Sequence, residues 1–225
     1  MARRTVRKPA PRAKKPPARQ FKQARSERTY LALLAAGEQL FSDRGYDATQ
    51  TPDVAEAAGV STGALYRYFA DKRQLFLEIM SRHLDSILAE VTGELRPERF
   101  VTGDASSARA GIDLVLEVLF ARLRRNAPLE RVFLAVSLRD ADVMAMRARF
   151  ERLSVELLTR MIEDLIPRSV IPKPRAAAVV IHAAALEVAS ERAGLSPDRG
   201  AGVADREVRE ALREMIHRYL YPGAR

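Results

Sequence analysis

From about Ser26 onward, apolar side chains recur three and four positions apart along nearly the whole chain, and no segment alternates apolar and polar residues two by two. Such spacing lays the apolar residues along one face of a helix, so an all-α fold is expected. The first helix is predicted over about 26–44, with Tyr30, Leu33, Leu34, Gly37, Leu40 and Phe41 on its inner face and Gly45 as the residue that ends it. Thr51, Pro52 and Asp53 then read as an N-cap, a first-turn proline and an acid complementing the helix dipole; they open a short helix to about Ala58. Gly59 breaks that helix, Val60 plugs the gap, and Ser61 caps a third helix lasting to about Phe69. Asp71, with Gln74 three positions on, starts a long fourth helix as a capping box. Its stripe holds Leu75, Ile79, His83, Ile87 and Val91, and it is expected to end between Gly93 and Gly103. Further helices are predicted over about 105–125, 128–139, 141–166, 174–194 and 205–220, with breaks at Asn126-Ala127-Pro128, near Asp140, between Ile166 and Pro174, and between Gly194 and Gly202. The chain has no internal repeat.

Two short helices joined by a tight glycine turn, the second exposing polar and aromatic groups, form the pattern of a helix-turn-helix unit. Ala55 at the crossing point, Gly59 in the turn, and Val60 and Leu65 between the helices have structural roles in that pattern. Ser61, Thr62, Gly63, Ala64, Tyr66, Arg67 and Tyr68 remain on the outer side of the third helix. Hydroxyls at its N-terminal end suit base edges and phosphates, and the small Gly63 and Ala64 permit close approach to a major groove. Tyr66 and Arg67 have the reach for phosphates and flanking bases, whereas Tyr68 fits either that role or the core, beside Leu65 and Phe69. Lys72 in the first turn of the fourth helix opposes the helix dipole, which a phosphate partner would explain.

Charge changes the picture at one end only. Residues 1–28 carry eleven Lys/Arg against the single acid Glu27, a net charge of +10, while the remaining 197 residues net to −1. The first 25 residues are therefore expected to be a disordered basic arm, either a solubilising extension or a segment that neutralises phosphates. Cysteine is absent, which excludes disulfides, a thiol nucleophile and thiolate metal ligands. No apolar run has signal-peptide or membrane-spanning character, so a cytoplasmic protein without membrane contacts is expected.

The stretch LLAAGEQLFSDRGYDATQTPDVAEAAGVSTGALYRYFADKRQLF, within residues 30–80, resembles the N-terminal domain of the TetR/AcrR transcriptional regulators. The likeness is carried by Leu40-Phe41, Gly45-Tyr46, Val54-Ala55, Ala58-Gly59-Val60-Ser61, Gly63, Leu65-Tyr66, Tyr68-Phe69, Lys72 and Leu75. It implies DNA-facing positions for Thr49 or Thr51, and for Ser61, Thr62, Gly63, Tyr66, Arg67, Tyr68 and Lys72. Gln50 and Thr51-Pro52 depart from the commoner pattern of that family, as does Gly37 where alanine is usual. The resemblance further implies a homodimer on a palindromic operator, and a C-terminal helical bundle that binds a small-molecule effector and dimerises.

The expected organisation is thus a basic arm over 1–25, a helix-turn-helix DNA-binding domain over 26–72 and an effector-binding and dimerisation domain over 73–225. A ligand-responsive repressor is the leading function; the alternative is a constitutive or architectural DNA-binding protein. Helix 174–194, with AAAVVIHAAALEVA, and the last helix, with Val208, Leu212, Met215, Ile216, Tyr219 and Leu220, are candidates for pairing across a twofold axis. Candidate cavity residues are Leu116, Phe120, Phe133, Met144, Met146, Phe150 and Met161. His83, His182 and His217 lie far apart and in no metal-ligand spacing, and no phosphate loop or nucleophile elbow is present, so neither an enzyme nor a cofactor is expected.

Overall fold

The computed structural model describes residues 24–94, 105–200 and 202–222, and among these every regular element is a helix. The order is α1 (Ala24–Ala48), α2 (Thr51–Ala57), α3 (Thr62–Tyr66), α4 (Lys72–Glu94), α5 (Ala105–Ser137), α6 (Ala141–Leu165), α7 (Pro174–Arg192) and α8 (Asp205–Leu220). Residues 1–23 of the expected arm, and most of the Gly93–Gly103 segment, lie outside the described residues; Ala24 and Arg25, expected in the arm, open α1.

Local chemistry sets the ends of the first helices. Gly45, at φ 82° and ψ 170°, breaks the helical backbone of α1, a conformation that side chains with a Cβ resist. The expected cap at Thr51 shifts by one residue: Gln50 is the N-cap of α2, and its amide donates to Asp53 Oδ2 at 3.1 Å. The shift follows from Thr51 being drawn inward, 8% exposed, where its hydroxyl is used elsewhere. Gly59, at φ 68°, closes α2 with Gly59 N–H donating to Glu56 O and Val60 N–H to Ala55 O, both at 2.9 Å, the paired bonds of a Schellman motif. Asp71 Oδ1 accepts from Gln74 N–H at 2.7 Å, as expected, whereas Gln74 Oε1 accepts from the N–H of Ala70 and not of Asp71, so the return half of the capping box falls one residue earlier.

Pro128 does not break the chain into two helices. α5 runs unbroken through it for 33 residues, about 50 Å at 1.5 Å per residue. Packing overrides the local penalty. Leu123, Ala127, Leu129 and Phe133 are buried on both sides of the proline, and the Arg122–Glu130 ion pair spans it.

Two hydrophobic clusters stabilise the molecule. One joins Phe41, Val54, Leu65, Phe69, Leu75, Phe76 and Met80 with Leu129, Phe133 and Val136 of α5 and Val143 of α6. Phe41, Phe69 and Phe76 are almost fully buried there, each worth about 1.5–3 kcal/mol. The other joins Leu116, Phe120 and Leu123 of α5, Ile162 of α6, Ala177, Ile181 and Ala185 of α7, and Leu212, Ile216 and Leu220 of α8. α5 and α6 thus run through both clusters. The glycine at Gly37 has a packing reason: a Cβ there would sit 2.8 Å from Ile79 Cδ1 and 3.1 Å from Leu75 Cδ2, so α1 and α4 approach closely only over glycine.

Candidate nucleic-acid interface

The outer surface around α3 is assembled from two helix N-termini. Ser61 Oγ accepts from Ala64 N–H at 3.2 Å, which fixes the first turn and leaves the hydroxyl proton for an outside acceptor. Gly63 is exposed, and a Cβ placed on it would meet nothing within 4 Å. The fold itself therefore gives no steric reason for glycine at this position. Tyr66 is 52% exposed, with its hydroxyl 3.0 Å from Thr51 Oγ1. That bond brings the end of α3 to the start of α2, where Gln50 and Pro52 are also exposed. Arg67 is exposed and forms no ion pair among the described residues.

Four residues expected to face DNA make contacts within the protein. Thr49 is fully buried, donating its hydroxyl to Gly45 O at 2.8 Å and Leu40 O at 3.2 Å, so it ties off the end of α1 and cannot reach a phosphate. Ala64 is 8% exposed and turns inward. Tyr68 is half-buried against the first cluster, 3.0 Å from Ser26 Oγ and 6.2 Å from the Tyr30 ring, a placement that fits its structural reading. Lys72 needs no phosphate to explain it: Nζ donates to Tyr46 O at 2.9 Å and lies 4.6 Å from the centre of the Tyr46 ring. The carbonyls released by the Gly45 break supply the negative partner. Replacing Lys72 by Met should accordingly lower stability by about 1–2 kcal/mol in a urea melt, the worth of one charge-assisted hydrogen bond. An unchanged melt with loss of DNA binding would return Lys72 to the interface.

This surface is clamped to the turn between α5 and α6. Arg73 donates Nε to Asp140 Oδ2 at 2.5 Å and Nη2 to Asp140 Oδ1 at 2.9 Å, with a further bond from Nη2 to Asp142 at 2.6 Å. Arg139 reaches back to Asp47 at 2.7 Å. The Arg73 hydrogen bond, opposed by partial desolvation and helped by the N–H groups of Val143 and Asp142, holds the Asp140 carboxyl at about 2, below its ordinary 3.8. A depressed carboxyl stabilises the fold above its unfolded pKa and loses that contribution as pH falls. Asp140→Asn, which keeps a cap but loses the charge, should cost about 1 kcal/mol near neutrality, a modest figure because Arg73 is 43% exposed and screened. The gap between the two melting curves should close between pH 3.8 and pH 2; a gap that stays constant would show that the charge is irrelevant.

Where the two clusters meet, α4, α5, α6 and α7 enclose a cavity of about 260 Å³. Leu116, Phe133, Phe150 and Met161 are on its wall as expected, but Phe120 is buried in the second cluster, Met144 is 41% exposed and Met146 packs against the first cluster. The helical phase of α6 turns Met144 outward, a distinction that residue type does not carry. Arg122 and Glu130 were not anticipated on this wall. They are eight residues apart on one face of α5, joined at 3.0 Å, and Glu130 also meets His83 of α4 at 3.2 Å. Charges at inward-phased positions of an apolar helix were the available signal. No group of three His, Asp or Glu that could hold a metal occurs among the described residues, and no described helix is long and apolar enough to cross a membrane.

The family described as bacterial regulatory proteins of the tetR family matches residues 33–79. The chain is 31% identical over 176 residues to the HTH-type transcriptional activator FasR of Mycolicibacterium smegmatis, covering 78% of this chain and 75% of that one. It is 41% identical over 63 residues to the HTH-type transcriptional repressor KstR2 of the same organism, 28% of this chain and 30% of that protein. Its fold matches a transcriptional regulator from Rhodococcus sp. RHA1 with a TM-score of 0.66 at 19% identity, over 86% of this chain and 96% of that chain. The chain belongs to the TetR family and is a transcriptional regulator with an N-terminal helix-turn-helix.

Proposed function

We propose that the protein binds an inverted-repeat operator as a homodimer and is released from it when a small molecule occupies the cavity. The observation that carries this is the exposed tip of α3, where a capped helix start presents Ser61 and a glycine that the fold does not need. Ser61, Thr62, Gly63, Tyr66 and Arg67 form the DNA-facing set, and Thr51 acts through Tyr66. Residues 26–72 are the reading head, and residues 73–225 dimerise and bind the effector.

The partner surface is made by α7 and α8, which pack against each other. Their inner residues, among them Ile181, Leu212 and Ile216, fill the second cluster, yet Val179 at 48%, Val180 at 63%, Met215 at 50% and Tyr219 at 51% exposure face outward. A second copy covering this apolar strip gives a closed, symmetric pair. Two heads related by a twofold axis read half-sites separated by whole helical turns, ~10.5 bp each. The bound dimer represses from an operator overlapping a promoter and activates from one upstream of it, and release on effector binding ends either effect, so one mechanism accommodates relatives named either way.

Selection of bound duplexes from a random pool, with sedimentation of the complex, tests this directly. An enriched inverted repeat bound by two chains is expected. Binding that is independent of sequence throughout the selection would leave the constitutive, architectural alternative.

A further inference from the structure

The cavity wall is almost entirely hydrocarbon, and its few polar groups are unusual in being already balanced. Arg122 faces Glu130 at 3.0 Å, with side chains only 8% and 11% exposed, and Arg147 faces Glu151 at 2.9 Å. The formal charge on the wall is therefore zero before any ligand enters. Two polar atoms nevertheless have no hydrogen-bond partner: Nε of Arg122 and Nε2 of His182, both belonging to lining residues. Desolvation lowers the His182 pKa and so favours the neutral ring, a shift that the Glu151 charge opposes.

These facts restrict the ligand's chemistry. A carboxylate placed here would add an uncompensated negative charge to a hydrocarbon-walled site beside Glu130, and an ammonium would add a positive one beside Arg122; each is disfavoured by lost hydration. A neutral acceptor oxygen satisfies the Arg122 N–H and adds no charge. Building on the effector-cavity reading above, we propose that the cavity takes a neutral, mainly hydrocarbon molecule bearing a ketone, ester or hydroxyl oxygen, which accepts a hydrogen bond from Arg122 Nε. The volume of about 260 Å³ calls for a small molecule with a short hydrocarbon chain.

The site also has a route to the reading head. Arg122 bonds Glu130, and Glu130 bonds His83 on α4, the helix that begins beside the recognition element. An oxygen bound at Arg122 Nε leaves the Nη2–Glu130 bond in place but shifts the guanidinium that makes it, so the ligand's polar group reaches α4 through two existing hydrogen bonds.

The test is calorimetric titration of the full-length protein with four probes of equal chain length: octane, 2-octanone, octanoate and octylammonium. 2-Octanone is expected to bind roughly 10-fold tighter than octane, equivalent to about 1.4 kcal/mol, and tighter than either ion. In the double variant Arg122→Met, Glu130→Met, which removes both charges together, the ketone and the alkane should bind alike. Octanoate binding tightest would overturn the charge-balance argument, and equal binding of octane and 2-octanone by the unaltered protein would overturn the role of Arg122. Binding by none of the four would instead remove the effector-cavity reading itself. The ranking on the unaltered protein decides the matter even if the double variant does not fold.

Discussion

Glu130→Ala is expected to destabilise the protein by about 3–5 kcal/mol, the usual cost of leaving a buried charge without its partner. Arg122 is 7% exposed, and the Glu130 carboxylate neutralises it and also holds His83. Removing the carboxylate leaves the guanidinium in a hydrocarbon setting. Against a total stability of about 5–15 kcal/mol this is a large fraction. The double variant Arg122→Met, Glu130→Met removes both charges and should recover most of the loss, because two apolar side chains of similar length replace a pair whose desolvation offsets much of its attraction. Denaturant melts of the two variants distinguish this account from simple loss of packing: equal destabilisation by single and double variants would sink it. The pair also predicts acid sensitivity. Burial pushes the Glu130 carboxyl up, but the His83 hydrogen bond and the Arg122 charge outweigh burial and hold it below its ordinary 4.5. Its contribution is therefore present above pH 4.5 and lost as pH falls below that value.

Gly63→Leu is expected to leave folding intact and weaken operator binding by roughly 100-fold, about 2.7 kcal/mol. A Cβ at this position meets nothing within 4 Å in the protein, and leucine favours a helix over glycine by something under ~1 kcal/mol, so the melting temperature should hold or rise. The side chain would occupy the space between the tip of α3 and the floor of a major groove. Leucine is uncharged, so a weakened complex that keeps its salt dependence points to steric exclusion rather than lost phosphate contacts. Gly63→Ala should give an intermediate effect. Full operator affinity in the leucine variant would show that the tip of α3 does not enter the groove.

The features legible in the sequence were those fixed by a residue's own backbone or its near neighbours. Gly45 and Gly59 adopt the positive φ angles that their positions implied, Ser61 caps α3, and Asp71 pairs with Gln74. The features that escaped depend on partners distant in the chain. Thr49 and Lys72 have the chemistry of phosphate ligands, but folding the Gly45 turn against the start of α4 spends that chemistry on carbonyls of residues 40–47. Pro128 has the local signature of a break, but Leu123, Ala127, Leu129 and Phe133 are buried on either side of it and α5 continues through it. In the same way, Arg122 and Glu130 carry no sign of their pairing until the helix phase and the cavity are known.

The cluster that joins α1–α4 to Leu129, Phe133, Val136 and Val143 has a practical consequence for protein engineering. Chimeric regulators made by grafting one DNA-reading segment onto another sensor are naturally cut after residue 72, where the recognition element ends. In this protein that cut separates Phe41 and Phe69 from the members of their cluster on α4, α5 and α6 and severs the Arg139–Asp47 clamp, while Arg73 and Asp140 stay together on the sensor side. A transplant that carries the 129–143 corner along with the first four helices preserves the seam; one that does not must redesign it.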